Sequence, residues 1–182
     1  MGKAFQHFKT ITRHRHEVIR NCKRAGILWQ GLRHDLSKYS PTEFLPGAKY
    51  WQGTRSPNDR EREVIGYSRA WMHHKGRNKH HFEYWSDYSA GDKLVRPVEM
   101  PVRYVAEMFC DRVAASKIYM GDSYTDKSPL EYFERGKQRR EGRIHEKTSA
   151  LIESLLTMLA EQGEEKTFAY IRKLVKEKGS LS

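Results

Sequence analysis

The sequence predicts an all-α domain, on three observations. Apolar residues recur at three- and four-residue spacing through most of the chain. Proline or a capping residue opens several of these stretches and glycine closes them, and nowhere is there the sustained alternation of a strand or an internal repeat. With 182 residues, 37% hydrophobic and 12% aromatic, the chain has enough apolar material to close one core. A single domain over 1–182 is expected, with a core at about 5–120 and a helical extension at about 128–179.

The elements follow in order. Phe5, Phe8, Ile11, Val18 and Cys22 share helical spacing, so a first helix runs from Phe5 to Ala25 and stops at Gly26. A second helix from Ile27 to about Lys38 carries Leu28, Leu32, Leu36 and the dipeptide His34-Asp35. Ser40, Pro41 and Glu43 form a capping-box pattern that opens a short third helix, with Glu43 as the box acid. Residues 50–58 are rich in turn formers, and Asn58 or Asp59 caps a helix that reaches about Lys75. After the segment GRNKHHFEYW and the polar loop SDYSAGDK, a helix runs from Pro101 to about Tyr119. Three more helices are expected at Pro129–Arg140, His145–Gln162 ending at Gly163, and Glu164–Lys178 ending at Gly179.

Composition excludes several classes. No stretch of 18 apolar residues exists and the N-terminus is too polar for a signal peptide, which predicts a cytoplasmic protein with no membrane span. Cys22 and Cys110 lie in apolar patterns and outside any CxxC pair, so both read as small core residues. The formal charge of +11 attracts anionic partners, whether nucleotides, nucleic acid or other phosphorylated molecules. The same charge is equally compatible with a solvated basic surface.

Chemistry concentrates in the histidines. Six of the nine fall in close pairs: His14 with His16, His73 with His74, and His80 with His81. His14 lies three residues after Ile11 and four before Val18, on the buried stripe, and His16 is less well aligned. On a helix His34 and Asp35 diverge by about 100° and converge only on an object between them, such as a metal ion. By itself the dipeptide is an ordinary surface pair. Asp111, however, sits in the apolar stretch MPVRYVAEMFCDRVAA beside Tyr104, Met108 and Ala115, where a buried carboxylate needs either an arginine or a metal. Imidazoles with carboxylates and no thiolate cluster suit Mn, Fe, Co, Ni or Zn. Trp29, Trp51, Trp71, Trp85, Phe82 and Tyr84 flank these motifs, as core residues or as a stacking wall.

The ordered string His14, His34-Asp35, His74, His80-His81, Asp111 resembles the HD-domain superfamily of metal-dependent phosphohydrolases. HDLSK at 34–38 resembles the HDxGK form of its motif, and HHFE at 80–83 resembles the HHE stretch of the subgroup that hydrolyses cyclic dinucleotides. Only five residues separate His74 from His80 and the glycine-tyrosine-proline motif is missing, which departs from that subgroup. HDLSKYSPTEF, AWMHHKGRNKHHFEYW and the Asp111 helix resemble more closely an uncharacterised HD-like family of Firmicutes and their phages, over roughly residues 10–178.

The resemblance implies an HD-domain-like helical bundle with additional C-terminal helices, holding one or two divalent transition metals. In it His14, His34, Asp35 and Asp111 hold one metal, and Asp35 bridges to a second held by His74 with His80, His81 or both; His16 and His73 are the alternatives. Asp35 and Lys38 are then the catalytic candidates, and Lys38, Arg77 and Asn78 the substrate contacts. The implied reaction is hydrolysis of a nucleotide or other small phosphorylated substrate by metal-activated water. The alternatives are a mixed-valence di-iron oxygenase of the inositol oxygenase type and a non-catalytic HD-like protein that binds nucleotide or nucleic acid.

Overall fold

The computed structural model describes residues 2–178, apart from the side chain of Arg139. Its helices are α1 (Lys3–Arg24), α2 (Leu28–Arg33), α3 (Pro41–Lys49), α4 (Pro57–Ile65), α5 (Arg69–Lys75), α6 (Val102–Met120), α7 (Ser128–Arg135), α8 (Lys137–Arg140) and α9 (Glu146–Lys178). Single 3-10 turns at Leu36–Tyr39, Phe82–Tyr84 and Gly121–Ser123 join some of them. The fold is all-α, and none of the described helices is long and apolar enough to cross a membrane.

Helix α6 is the axis of the molecule. Every residue from Val105 to Cys110 is buried, as are Val113 and Ala114. A helix buried on nearly all sides must be covered on nearly all sides. Helix α1 covers it from one side with Val18 and Cys22, and α9 from another with Ile152, Leu155, Leu156, Leu159, Phe168 and Ile171. The C-terminal helices therefore complete the same core that the first 120 residues begin. Asn21 of α1 donates its amide to the Cys110 carbonyl at 3.1 Å, and Cys22 and Cys110 are free, buried thiols within that core.

Helices α2, α3 and α5 form a second layer, α2 and α3 packing on α1 and α5 on α3. On α1 the buried residues His7, Ile11, His14, Val18, Asn21 and Cys22 make one stripe, whereas Phe5 and Phe8 are about half exposed. The apolar spacing at the start of α1 thus finds no core to face.

Four expectations are corrected. The second helix does not reach Lys38: it ends at Arg33, His34 adopts extended ψ, and Asp35 is left-handed (φ 54°). Aspartate tolerates that conformation better than most residues, and Arg15 of α1 holds the turn by donating to the carbonyls of Leu32 and His34. The helix expected from Asn58 to Lys75 is two helices. Ser56 caps the first, Gly66 (φ 83°) ends it, and Ser68 caps the second through the Trp71 N–H. Ser40 does not cap α3 with its side chain, which donates to Ser37 O, and Glu43 is not a capping acid. Finally, the loop after Trp85 contains a short antiparallel hairpin, β1 (Ser86–Tyr88) with β2 (Val95–Pro97), too brief for its alternation to register in sequence.

Gly163 breaks the last helical segment as expected, at φ 79° and ψ 171° inside α9. The stop expected at Gly179 lies outside the described residues.

Candidate metal centre

Four pieces of local structure bring the histidines together. The α1 stripe points His14 inward. The left-handed turn at Asp35 swings His34 and Asp35 under the bundle, and both are 2% exposed. The end of α5 delivers His74, and a five-residue return brings back His80 and His81. Helix α6 supplies Asp111 and, one turn earlier, Glu107.

Three sets of donors lie with all their donor atoms within 4.8 Å of one another: two donor groups that share Asp35, namely His14, His34, Asp35 and Asp111, and Asp35, His74, His80 and His81, and a third set of His34, His80 and Glu107. Asp35 Oδ2 lies 3.3 Å from His34 Nε2, while its Oδ1 lies 3.2 Å from His74 Nε2 and 3.5 Å from His80 Nε2. Asp111 Oδ1 lies 2.9 Å from His14 Nε2 and 3.5 Å from His34 Nε2. A tetrahedral ion with bonds of about 2.1 Å spaces its donors about 3.4 Å apart, so these separations suit first-row divalent ions.

The hydrogen-bond inventory passes the same test. Nε2 of His14, His34, His80 and His81 and both oxygens of Asp35 are buried without a well-formed hydrogen bond. Buried polar atoms are normally hydrogen-bonded, and atoms that instead meet one another and Lys38 only in ion-pair contacts fit a ligand that accepts lone pairs.

The electrostatics set two carboxylates against a ring of imidazoles. Burial opposes ionisation of Asp35 and Asp111, but the neighbouring imidazoles, with Lys38 for Asp35, outweigh it and hold both carboxyls well below the usual range. Burial likewise opposes a charge on His34 and His74, but the carboxylate of Asp35, with Asp111 and Glu107 beside His34 and Glu43 beside His74, overrides it upward. His14 and His81 are pushed down by burial, His81 further by His80 and His74. Neutral imidazole is the ligating form.

Two carboxylates that sequence reasoning missed orient this set. Glu107 Oε1 lies 3.0 Å from His34 Nδ1 and 3.3 Å from His80 Nδ1, reaching one imidazole of each group. Gln30 Nε2 donates to its other oxygen at 2.8 Å, and Gln30 is itself held by Arg103. Glu43 takes His73 Nδ1 at 2.6 Å and His74 Nδ1 at 2.8 Å. Such outer carboxylates fix the tautomer and aim Nε2 inward. A signal for Glu107 existed: it stands four residues before Asp111, on the same face of an apolar helix. Glu43 carried no signal apart from the capping pattern that obscured it.

Lys38 Nζ sits 2.6 Å from Asp35 Oδ2, at the edge of the centre. Asn78 donates to Ser37 Oγ and His74 O, so its amide holds the α5 end in place. Arg77 is exposed and donates to the His73 carbonyl, and His16 is exposed on α1; neither joins the cluster. His73 faces Glu43 and belongs to neither donor group. Among the aromatics, Trp71 walls the second group, 4.7 Å from the His81 ring, Trp85 packs on Tyr104, and Trp29 is 73% exposed.

A family model described as a family of unknown function, DUF5662, matches residues 3–158. The chain belongs to the DUF5662 family. The DUF5662 segment takes in both donor groups, Glu43 and Glu107, and ends within α9. No curated protein and no solved structure matches the chain.

Proposed function

We propose that this DUF5662 protein is a divalent-metal-dependent phosphohydrolase of HD-domain type, acting on a small phosphorylated substrate. The observation that carries the reading is Asp35, whose two oxygens face separate donor groups at 3.2–3.5 Å in a buried site. That is the position of a carboxylate shared by two ions. His14, His34 and Asp111 complete one group, and His74, His80 and His81 the other. A divalent metal pair held there would supply a water acidified toward neutrality and charge stabilisation on the phosphoryl oxygens.

The protein's own groups do the rest. Glu107 and Glu43 hold His34, His80 and His74 with Nε2 turned inward. Lys38 adds a cation beside Asp35, where a phosphate approaching the centre meets it. In the reaction the oxygen of water bonds to phosphorus, the ester P–O bond breaks, and the departing oxygen takes up a proton. The net charge of +11 supports a phosphorylated partner by long-range attraction.

The experiment is elemental analysis of the purified protein, with a phosphate-ester panel assayed in manganese, for wild type and Asp35→Ala. Bound metal and ester hydrolysis, both lost in the variant, are expected. A wild type that carries no metal and hydrolyses no ester sinks the reading. The five histidines and two aspartates can also supply the four histidines and two aspartates of a di-iron oxygenase, so two irons with oxygen-dependent turnover and no phosphatase activity would replace it.

A further inference from the structure

Beside the metal centre lies a cavity of about 80 Å³ between α1, α3 and the start of α4. It touches the centre through Lys38 and His74, which line it. Two of its other lining residues carry buried nitrogens with no partner: His7 at Nδ1 and Trp51 at Nε1. His7 is 6% exposed and belongs to neither donor group. Its opposite ring edge lies against Gly47, where a Cβ would fall 2.3 Å from Nε2, so α3 closes on the imidazole and holds it in place. Burial, then Lys38, pushes its pKa down to about 4, leaving it neutral at pH 7.

The polarity of the cavity is one-sided. An indole N–H can only donate. Lys38 contributes a cation, and the carboxylate among the lining residues, Glu43, has both oxygens taken by His73 and His74. The unpaired Trp51 N–H beside the Lys38 cation, with His7 Nδ1 a second donor in the tautomer that carries its proton there, calls for a ligand with acceptor oxygens and negative charge. Size narrows the class: the cavity has roughly half the ~150 Å³ that accommodates a benzene ring, which admits a tetrahedral or carboxylate group but no nucleobase.

We infer that this cavity is a second oxyanion subsite, taking a phosphate or carboxylate group of the substrate other than the one hydrolysed. The substrate is then a small molecule with two anionic groups. As a substrate subsite, this rests on the hydrolase reading; as an anion site, it stands apart from it.

The test separates the two. Titration of inorganic phosphate into metal-stripped full-length protein should show binding, weakened at least tenfold by Trp51→Phe, which removes the N–H and keeps the ring. His7→Gln, kept in reserve should Trp51→Phe fail to fold, is expected to weaken it similarly. In manganese, Trp51→Phe should raise KM tenfold or more for small esters bearing a second anion and leave p-nitrophenyl phosphate unchanged. An effect confined to bisphosphates assigns a phosphate to the cavity, and one confined to phosphocarboxylates a carboxylate. If the metal-free wild type does not bind phosphate, or the folded variants bind it equally well, the inference is overturned. Phosphate binding that depends on Trp51 in a protein hydrolysing no ester would sink the hydrolase reading and retain the anion site.

Discussion

Glu107 is the residue on which the two donor groups depend together. One oxygen serves His34 and His80, and the other is pinned by Gln30. Removing an outer carboxylate of this kind costs about 10–100-fold in metal affinity. Glu107→Ala is therefore expected to weaken metal binding by that order, as read by competition against a chelating dye, and to affect both ions if two are bound. Asp35 is a complementary case, because its side chain and its backbone have separate duties. Asparagine also tolerates the left-handed conformation. Asp35→Asn should keep the fold, checked by circular dichroism, while metal content falls; a variant that retained full metal would remove Asp35 from the site.

At the scale of elements, the breaks matter more than the helices. The expected helix from Ile27 to Lys38 would have left His34 and Asp35 diverging around a cylinder. The observed turn at Asp35 lets them meet two groups of partners instead. No residue in HDLSK announces that turn, because what holds it is Arg15, nineteen residues before His34. Gly66 and Gly163 differ in legibility for a related reason. The second interrupts a clear apolar repeat, while the first is flanked by Val64, Ile65 and Tyr67, which are exposed and belong to no buried repeat that could be broken. Gly163 occupies a backbone region that is nearly exclusive to glycine. Gly163→Ala is expected to destabilise the protein by about 1–3 kcal/mol in urea unfolding; an unchanged midpoint would mean that the kink is dispensable.

Across the whole molecule, long-range ties close the bundle around its centre. Glu164, just past the kink, pairs with Arg24 of α1 and Lys117 of α6. Burial opposes its charge, but these cations win and hold its carboxyl below the ordinary value of 4.5. A depressed folded-state value means stability that is present above the unfolded value and lost as pH falls through the folded one. Acid titration of thermal stability should therefore show a loss beginning below about pH 4.5 that is smaller in Glu164→Gln. The candidate metal centre joins α1, the turn after α2, the end of α5 and α6, so an ion bound there would stabilise the assembled state alone. At a thousandfold excess over Kd the gain is about 4 kcal/mol, or on the order of 10 °C in Tm. Thermal melts with manganese and after chelation check this, and identical melts would mean that no ion binds the folded protein.

The all-α class, the apolar helix that carries Asp111, the break at Gly163 and the residue types of the candidate site were legible in the amino acids alone, because helical period and histidine clustering are local properties. His14 could be placed on a buried stripe and Asp111 in an apolar helix for the same reason. Which oxygen of Asp35 faces which histidines, that Glu43 and Glu107 meet the imidazoles at Nδ1, and that His16 and Arg77 stand apart emerge in the folded chain. Each of those depends on a partner from another helix, and the chain must close before such a partner is present.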